Sequence, residues 1–517
     1  MTMTDTIGLD SGQDSTRADG DGGEPERVRI AIVGGGFAGL GMAIRLKQAG
    51  IEDFVVLERA GDVGGTWQAN TYPGCQCDVP SHLYSYSFEP NPSWTRTYSR
   101  QPEIWAYLRR CSERHGLGPH LRLDHELTGA TWDEGRRRWH VETTGGNVDA
   151  SLLIDAMGPL SQPARPPIPG LEGFEGTIFH SAEWDHEHDL TGERVAVIGT
   201  GASSIQLVPR IQPKVGRLHV FQRTAPWILP HSDRPTSRLE RQLYRALPAL
   251  QRLVRSGVYW GRELMVIGFA KRPDALLPAE RLAKLHLRRQ VRDPQLRRRL
   301  EPGFRLGCKR VLISNEWYPA LTQPNVELVS DRITAIDGRR IVLADGSSRE
   351  VDTIILGTGF HVTDPPTAWL IRGRGAKTLA EAAGASPQAY LGTAMPGFPN
   401  LFKIIGPNTG LGHSSMVFMI ESQLAYVMDA IREMDEREIA SVEVRPAAVE
   451  AFNAELQAKM PGTVWATGCG SWYLDARGRN TTLWPDFTFR FRSRTRRFDA
   501  DAYELRVGAA EPAGVTP

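Results

Sequence analysis

At 517 residues the chain is too long for one compact core, so two or three domains are expected. Its 41% hydrophobic and 23% charged residues suit a globular enzyme, and a net charge of +1 gives no whole-molecule field for nucleic acid or an anionic surface. Five cysteines (Cys75, Cys77, Cys111, Cys308 and Cys469) make no disulfide framework, so free thiols in a reducing cytoplasm are the expectation.

Residues 1–27 are rich in Asp, Gly, Ser and Thr and are expected to form a disordered tail. They have no apolar centre and so do not read as a signal peptide, and nowhere is an apolar run long enough for a transmembrane segment. Val28–Val33 reads as a buried parallel strand running into Gly34-x-Gly36-x-x-Gly39. A helix over 38–50 and a second strand, Phe54–Leu57, follow, and Glu58 closes the unit. Glycines permit the tight turn, close approach to a pyrophosphate and close helix packing. The helix N-terminus offers N–H groups to phosphate, and Glu58 offers a carboxylate to the ribose. A lone glycine fingerprint is weak, but strand, turn, helix, strand and acid in this order are specific. Gly64-Gly65-Thr66-Trp67 adds a second flavin-type loop, which points to FAD rather than NAD at this site.

The pattern restarts after residue 194. Val195–Ile198 is a strand, Gly199-Thr200-Gly201-Ala202-Ser203-Ser204 a second fingerprint, and Leu218–Phe221 the next strand. That strand ends in Gln222-Arg223-Thr224 instead of an acid. Arg223 would pair with a 2′-phosphate that an acid would repel, so NADPH is expected over NADH. Residues 236–305 read as Arg-rich amphipathic helices, an insertion whose charge is expected to coat solvated surface, ahead of a membrane or nucleic-acid face. Val351–Leu356 is another strand, and the chain is expected to return to the first domain through Gly392–Gly412. Phe487, Phe489 and Phe491 alternate with arginines and read as a strand with one buried face.

Between the two fingerprints stands Phe174-x-Gly176-x-x-x-His180-x-x-x-Trp184-Asp185. With it the chain resembles the class B flavin monooxygenases and, within them, the Baeyer–Villiger monooxygenases, over almost all of Val28 to Asp499. Trp184-Asp185 sets this group apart from N- and S-oxygenating relatives. His180 is read as part of a linker, ahead of an acid–base role. The resemblance implies an α/β fold of two dinucleotide-binding, Rossmann-like domains. The FAD domain (28–161 and 392–517) would be discontinuous, with an NADP domain (162–391) inserted and the helices of 236–305 inserted in that.

Tyr72-Pro73-Gly74-Cys75-Gln76-Cys77-Asp78 resembles the loop carrying the family's active-site Asp, here Asp78, and Tyr84 matches a flavin-contacting Tyr. Cys308-Lys309-Arg310 resembles the segment of the active-site Arg, here Arg310, with Lys309 a second 2′-phosphate ligand. Gly406 through Met416 resembles the loop passing the flavin, with Met416 the contact, and Ser471-Trp472 resembles the start of a mobile loop whose Trp, here Trp472, closes over the nicotinamide. The sequence from Leu474 to Gly478 departs from the cyclic-ketone enzymes toward acyclic- or aryl-ketone branches. The implied activity uses NADPH and O₂ to insert oxygen beside a ketone carbonyl, through a C4a-peroxyflavin and a tetrahedral adduct, giving an ester or lactone. Arg310 would stabilise the negative charges and Asp78 would orient Arg310. The alternatives are an N- or S-oxygenating flavin monooxygenase and a flavin-binding redox sensor.

Overall fold

The computed structural model describes residues 24–508, so most of the expected tail lies outside the described residues, and the first strand begins at Glu26. Strand β1 (Glu26–Val33) from Ile30 onward and all of β2 (Phe54–Leu57) are apolar because parallel strands are covered on both faces, and Ile30, Ala31 and Ile32 are fully buried. They join β3 (Leu121–Arg122), β4 (Leu127–Asp133), β5 (Arg138–Thr143) and β6 (Gly146–Asp155). The order across this sheet is β4-β5-β6-β1-β2-β3, with Ile371–Arg372 outside β4 and Leu401–Lys403 paired to β6. The chain therefore rejoins the first sheet at Ile371, ahead of Gly392.

Within that excursion lies a second sheet, parallel throughout. It contains β7 (Thr177–His180), β8 (Arg194–Ile198) and β9 (Arg217–Phe221), and its order is Val326–Val329, β9, β8, Thr353–Leu356, β7. Two Rossmann-like units, one inserted in the other, make the expected α/β architecture. Helices Arg238–Ala246, Pro248–Glu263, Leu277–Gln290 and Pro294–Leu300 follow β9 and form the helical insertion.

The fingerprint glycines are required sterically. Gly34 has φ +109°, and a Cβ on Gly39 would stand 1.8 Å from the Gly34 carbonyl oxygen. Gly39→Ala is therefore expected to give protein that retains no FAD, checked by flavin absorbance after gel filtration. The second fingerprint keeps the same approach with Ser204, which is fully buried. Gly357 makes the room, since a Cβ there would meet Ser204 Oγ at 2.2 Å.

Two expectations fail. Cys308 and Cys469 form a disulfide with Cα atoms 6.1 Å apart, while Cys75, Cys77 and Cys111 are free and buried. The partners are 161 residues apart and meet only after the insertion folds against the C-terminal loop, a proximity no local spacing reports. The phenylalanine segment is a helix, Thr488–Arg494. Phe487 and Phe491 sit four apart and face the protein, while Phe489 is 40% exposed, so the spacing that mimicked strand alternation belongs to a helical turn.

His82 lies beneath the first helical hairpin, with Gln251 Nε2 at 3.3 Å from its Nδ1 and Tyr244 edge-on at 4.8 Å. Burial, then Arg255, lowers its pKa from 6.5 to about 4. The unfolded chain binds this proton more readily, so the neutral histidine's contribution is full above about pH 6.5 and is lost as pH falls toward 4. The urea midpoint should fall across that window, and His82→Gln should flatten part of the fall relative to the parent.

Candidate active site

No side chain caps the helices that begin after Gly36 and Gly201, so their first N–H groups remain available to phosphate. At the first turn the Gly64–Gly65 loop packs against the fingerprint. Gly64 N–H donates to Gly35 O at 2.9 Å, and a Cβ on Gly65 would lie 3.0 Å from Gly36 Cα. Glu58 ends β2, is buried, and accepts from Gly35 N–H at 2.6 Å and Ala60 N–H at 2.9 Å. Its carboxylate is thus fixed at the mouth of the turn. Thr66 and Trp67 start the next helical turn, and Trp67 Nε1 donates to Tyr84 OH at 3.0 Å. Burial raises the Tyr84 pKa, so its hydroxyl stays protonated. Met416 follows the cap Ser415 at the start of the Met416–Glu436 helix. This wall, with backbone room at Gly36 and aromatic cover from Trp67 and Tyr84, fits an FAD.

The second turn fits NADPH by its charge. Thr200 Oγ1 donates to Thr224 O at 3.3 Å, joining the glycine loop to the end of β9. Ala202 and Ser203 begin the helix after the turn. Lys309 lies with Nζ 5.1 Å from the Phe304 ring centre, and its pKa is lowered first by burial and then by Arg223. Neither Lys309 nor Arg223 has a carboxylate partner among the described residues. Two mutually repelling cations at the end of a Rossmann strand suit a dianionic group such as a 2′-phosphate.

Arg310 points the other way and meets Asp78 in a two-pronged pair. Nε donates to Oδ2 at 2.9 Å and Nη2 to Oδ1 at 2.7 Å. Their side chains are 33% and 25% exposed, so the pair is reachable from solvent. Burial opposes charge on Asp78, but Arg310, helped by Arg262, outweighs it and holds the pKa below the usual carboxylate range. Asp78 in turn raises the Arg310 pKa, so both remain charged. The Asp78 loop is seated on the second domain. Tyr72 OH donates to Gln206 Oε1 at 2.9 Å, and a Cβ on Gly74 would lie 2.6 Å from Gln206 O.

Sequence reasoning missed several groups here. Tyr473 is buried next to the pair, its hydroxyl unpartnered and its pKa pushed up to about 12 by burial. It packs against Trp472, which is 48% exposed, with ring centres 4.5 Å apart. Arg262 reaches Asp78 O at 3.5 Å, and Glu263 beside it is buried against His413 at 3.3 Å. The Trp472 segment could have been tied to Arg310 from sequence only by guessing the Cys308–Cys469 link. Of the Trp-Asp string, His180 is fully buried and caps a short turn, with Nδ1 accepting Ala182 N–H at 3.1 Å.

Comparisons with known proteins agree with this architecture. The family described as pyridine nucleotide-disulphide oxidoreductase matches residues 31–252. A Baeyer–Villiger monooxygenase of Streptomyces coelicolor is 53% identical over 483 residues, covering 93% of each chain. The solved structure of oxidized steroid monooxygenase bound to NADP is 32% identical with a TM-score of 0.82, covering 93% of this chain and 100% of that one. OTEMO in complex with FAD and NADP is 27% identical with a TM-score of 0.83, covering 92% and 99%. With 53% identity across nearly its whole length to such an enzyme, the chain belongs to the Baeyer–Villiger monooxygenases.

Proposed function

We propose that the Arg310–Asp78 pair is the catalytic centre of an NADPH- and O₂-dependent conversion of a ketone to an ester or lactone. The observation that carries this assignment is the two-pronged ion pair, part-exposed and carried on a loop seated against the helix of the second nucleotide turn. FAD and NADPH are the cofactors; bound and reduced by NADPH, the flavin supplies the activated oxygen.

Gly34, Gly36, Gly39 and Gly65 would let the FAD pyrophosphate approach the backbone, and Glu58 would hold the ribose. Thr66, Trp67, Tyr84 and Met416 would line the flavin. Gly199 through Ser204 would cradle the NADPH pyrophosphate, and Arg223, Thr224 and Lys309 would hold the 2′-phosphate end. Trp472 would close over the nicotinamide. Arg310 would face negative charge developing on the carbonyl oxygen. A guanidinium suits that role because it does not lose its proton during turnover. Asp78 would fix the plane of the guanidinium and offset the cost of partly burying it.

The substrate is proposed to be a small-molecule ketone, and the enzyme to work in the cytoplasm. Among the described residues no helix is long and apolar enough to cross a membrane. The test is incubation of the holoenzyme with NADPH, isotopically labelled O₂ and a ketone panel. An ester carrying one labelled oxygen, matched by NADPH consumption, is expected. Hydrogen peroxide release with no ester from any ketone would overturn the reading.

A further inference from the structure

The first helical hairpin, Arg238–Ala246 with Pro248–Glu263, leaves Leu239, Leu243, Leu247, Leu253 and Trp260 exposed. The Arg238–Ala246 helix buries no residue, and Pro248–Glu263 fully buries only Gln251 and Glu263. Its protein-facing side combines apolar packing, with Val258 and Tyr259 against the core and Tyr259 stacked on Phe418 at 4.8 Å, with buried polar bonds. Gln251 Nε2 donates to Asn91 O at 2.8 Å, Arg255 Nη1 to His82 O at 2.6 Å, and Glu263 accepts from Thr488 Oγ1 at 2.6 Å.

The outward face is apolar. Leu239 is 64% exposed, Leu253 68%, Trp260 55% and Leu264 66%, with Leu243 and Ile267 each at 39%. Leu253 and Trp260 fall on one face of the second helix, and Leu264 and Ile267 follow its C-terminal end. Gly257 and Gly261 lie along the same helix, and an added Cβ at either would meet nothing. Phe489 extends the patch, its ring centre 6.0 Å from that of Trp260. Single exposed leucines are ordinary, but a continuous stripe of this size marks a surface that something covers.

Charge identifies the occupant. Residues 236–305 hold seventeen Lys and Arg against six Asp and Glu, in a chain whose net charge is +1. Of the two acids on the hairpin, Glu240 is paired with Arg234 and Glu263 is buried. Arg238, Arg245, Arg252 and Arg272 are exposed and form no ion pair among the described residues. A symmetric contact between two copies through this face would set these arginines against one another. An apolar stripe with Leu and Trp, edged by Arg, matches the interfacial plane of an anionic bilayer.

We propose that this hairpin docks the enzyme peripherally on anionic lipid, with Leu253, Trp260 and Leu264 entering the headgroup boundary and the arginines pairing with lipid phosphates. The proposal stands independently of the catalytic assignment. The test is flotation of the FAD-loaded full chain with vesicles of phosphatidylcholine alone and of equimolar phosphatidylcholine and phosphatidylglycerol. Flavin absorbance in the floated fraction reports binding without reference to activity. Binding to the phosphatidylglycerol vesicles is expected, falling as salt is raised. It should be at least about tenfold weaker for Leu253→Glu/Leu264→Glu and for Arg245→Glu/Arg252→Glu, since stable anchoring needs both signals. These exposed sites leave the fold intact, which the melting curve and FAD content of each variant verify. Failure of the parent to float, or equal flotation of parent and variants, would overturn the proposal. So would lipid-free light scattering that shows a dimer which Leu264→Glu splits, because a second copy would then be the occupant.

Discussion

Replacing Arg310 by alanine is expected to leave FAD content and its reduction by NADPH in place and to lower ester formation by about 10²–10³-fold, the usual loss when one preorganised donor to a developing oxyanion is removed. Two features make this effect large. Arg310 is held by two of its nitrogens on one carboxylate, so its plane is set before substrate arrives. Asp78 also raises the Arg310 pKa, so the cation persists through the alkaline range. Arg310→Lys should recover little, because an ammonium keeps the charge but not the fork that matches the carboxylate. Asp78→Ala should lose activity on a similar scale and also lower the melting temperature, since the guanidinium is left partly buried without its counterion. Asp78 is held below the usual carboxylate range, so its contribution is present above that range and is lost only as pH falls through its depressed pKa. Single-turnover assays of NADPH oxidation and ester yield separate the two steps. Normal ester yield from Arg310→Ala would remove the residue from the mechanism.

The second large effect concerns cofactor choice. Arg223→Ala should raise KM for NADPH by about 10–100-fold, the value of one to two charge-assisted hydrogen bonds to a phosphate, and barely change KM for NADH. Lys309 is disfavoured as a cation before any ligand arrives, its pKa lowered by burial and then by Arg223. A 2′-phosphate between them turns that repulsion into two attractions, and NADH has nothing to offer there. Lys309→Ala should act in the same direction, and the double variant should fall short of the product of the single losses because both cations serve one phosphate. Equal changes for both nucleotides would place Arg223 outside the 2′-phosphate site.

Both nucleotide turns were legible in the sequence because each is a local pattern. A buried strand, three small residues and a helix lie within a few positions of one another, and the same sterics appear in the coordinates at Gly34, Gly39 and Gly357. Glu58 was legible for the same reason. Asp78 and Arg310 are separated by 232 residues, and only the resemblance set them against each other. Features with neither a local pattern nor a family counterpart stayed hidden. Tyr473 beside Arg310, the Glu263–His413 contact and the Cys308–Cys469 link all arise where the insertion meets the C-terminal segment. Phe487–Phe491 misled because residues two apart satisfy strand alternation and residues four apart a helical turn, and the three rings contain both spacings.

Cys308, Lys309 and Arg310 are consecutive and engage three different things: the start of the Trp472 segment, the Arg223 site and Asp78. The covalent link gives Trp472 a short leash. Trp472 is three residues past Cys469, so the link keeps it near the strip that carries Lys309 and Arg310 whatever the rest of its segment does. The same leash makes traffic two-way. Nucleotide drawing in Lys309 would tug the root of the segment, and a lifted segment would pull back on the strip that carries Arg310. Cutting the link chemically, with both thiols left in place, would leave the three contacts to find one another independently. The cost would appear as slower closure at each turnover, with the ion pair and the phosphate site themselves unaltered.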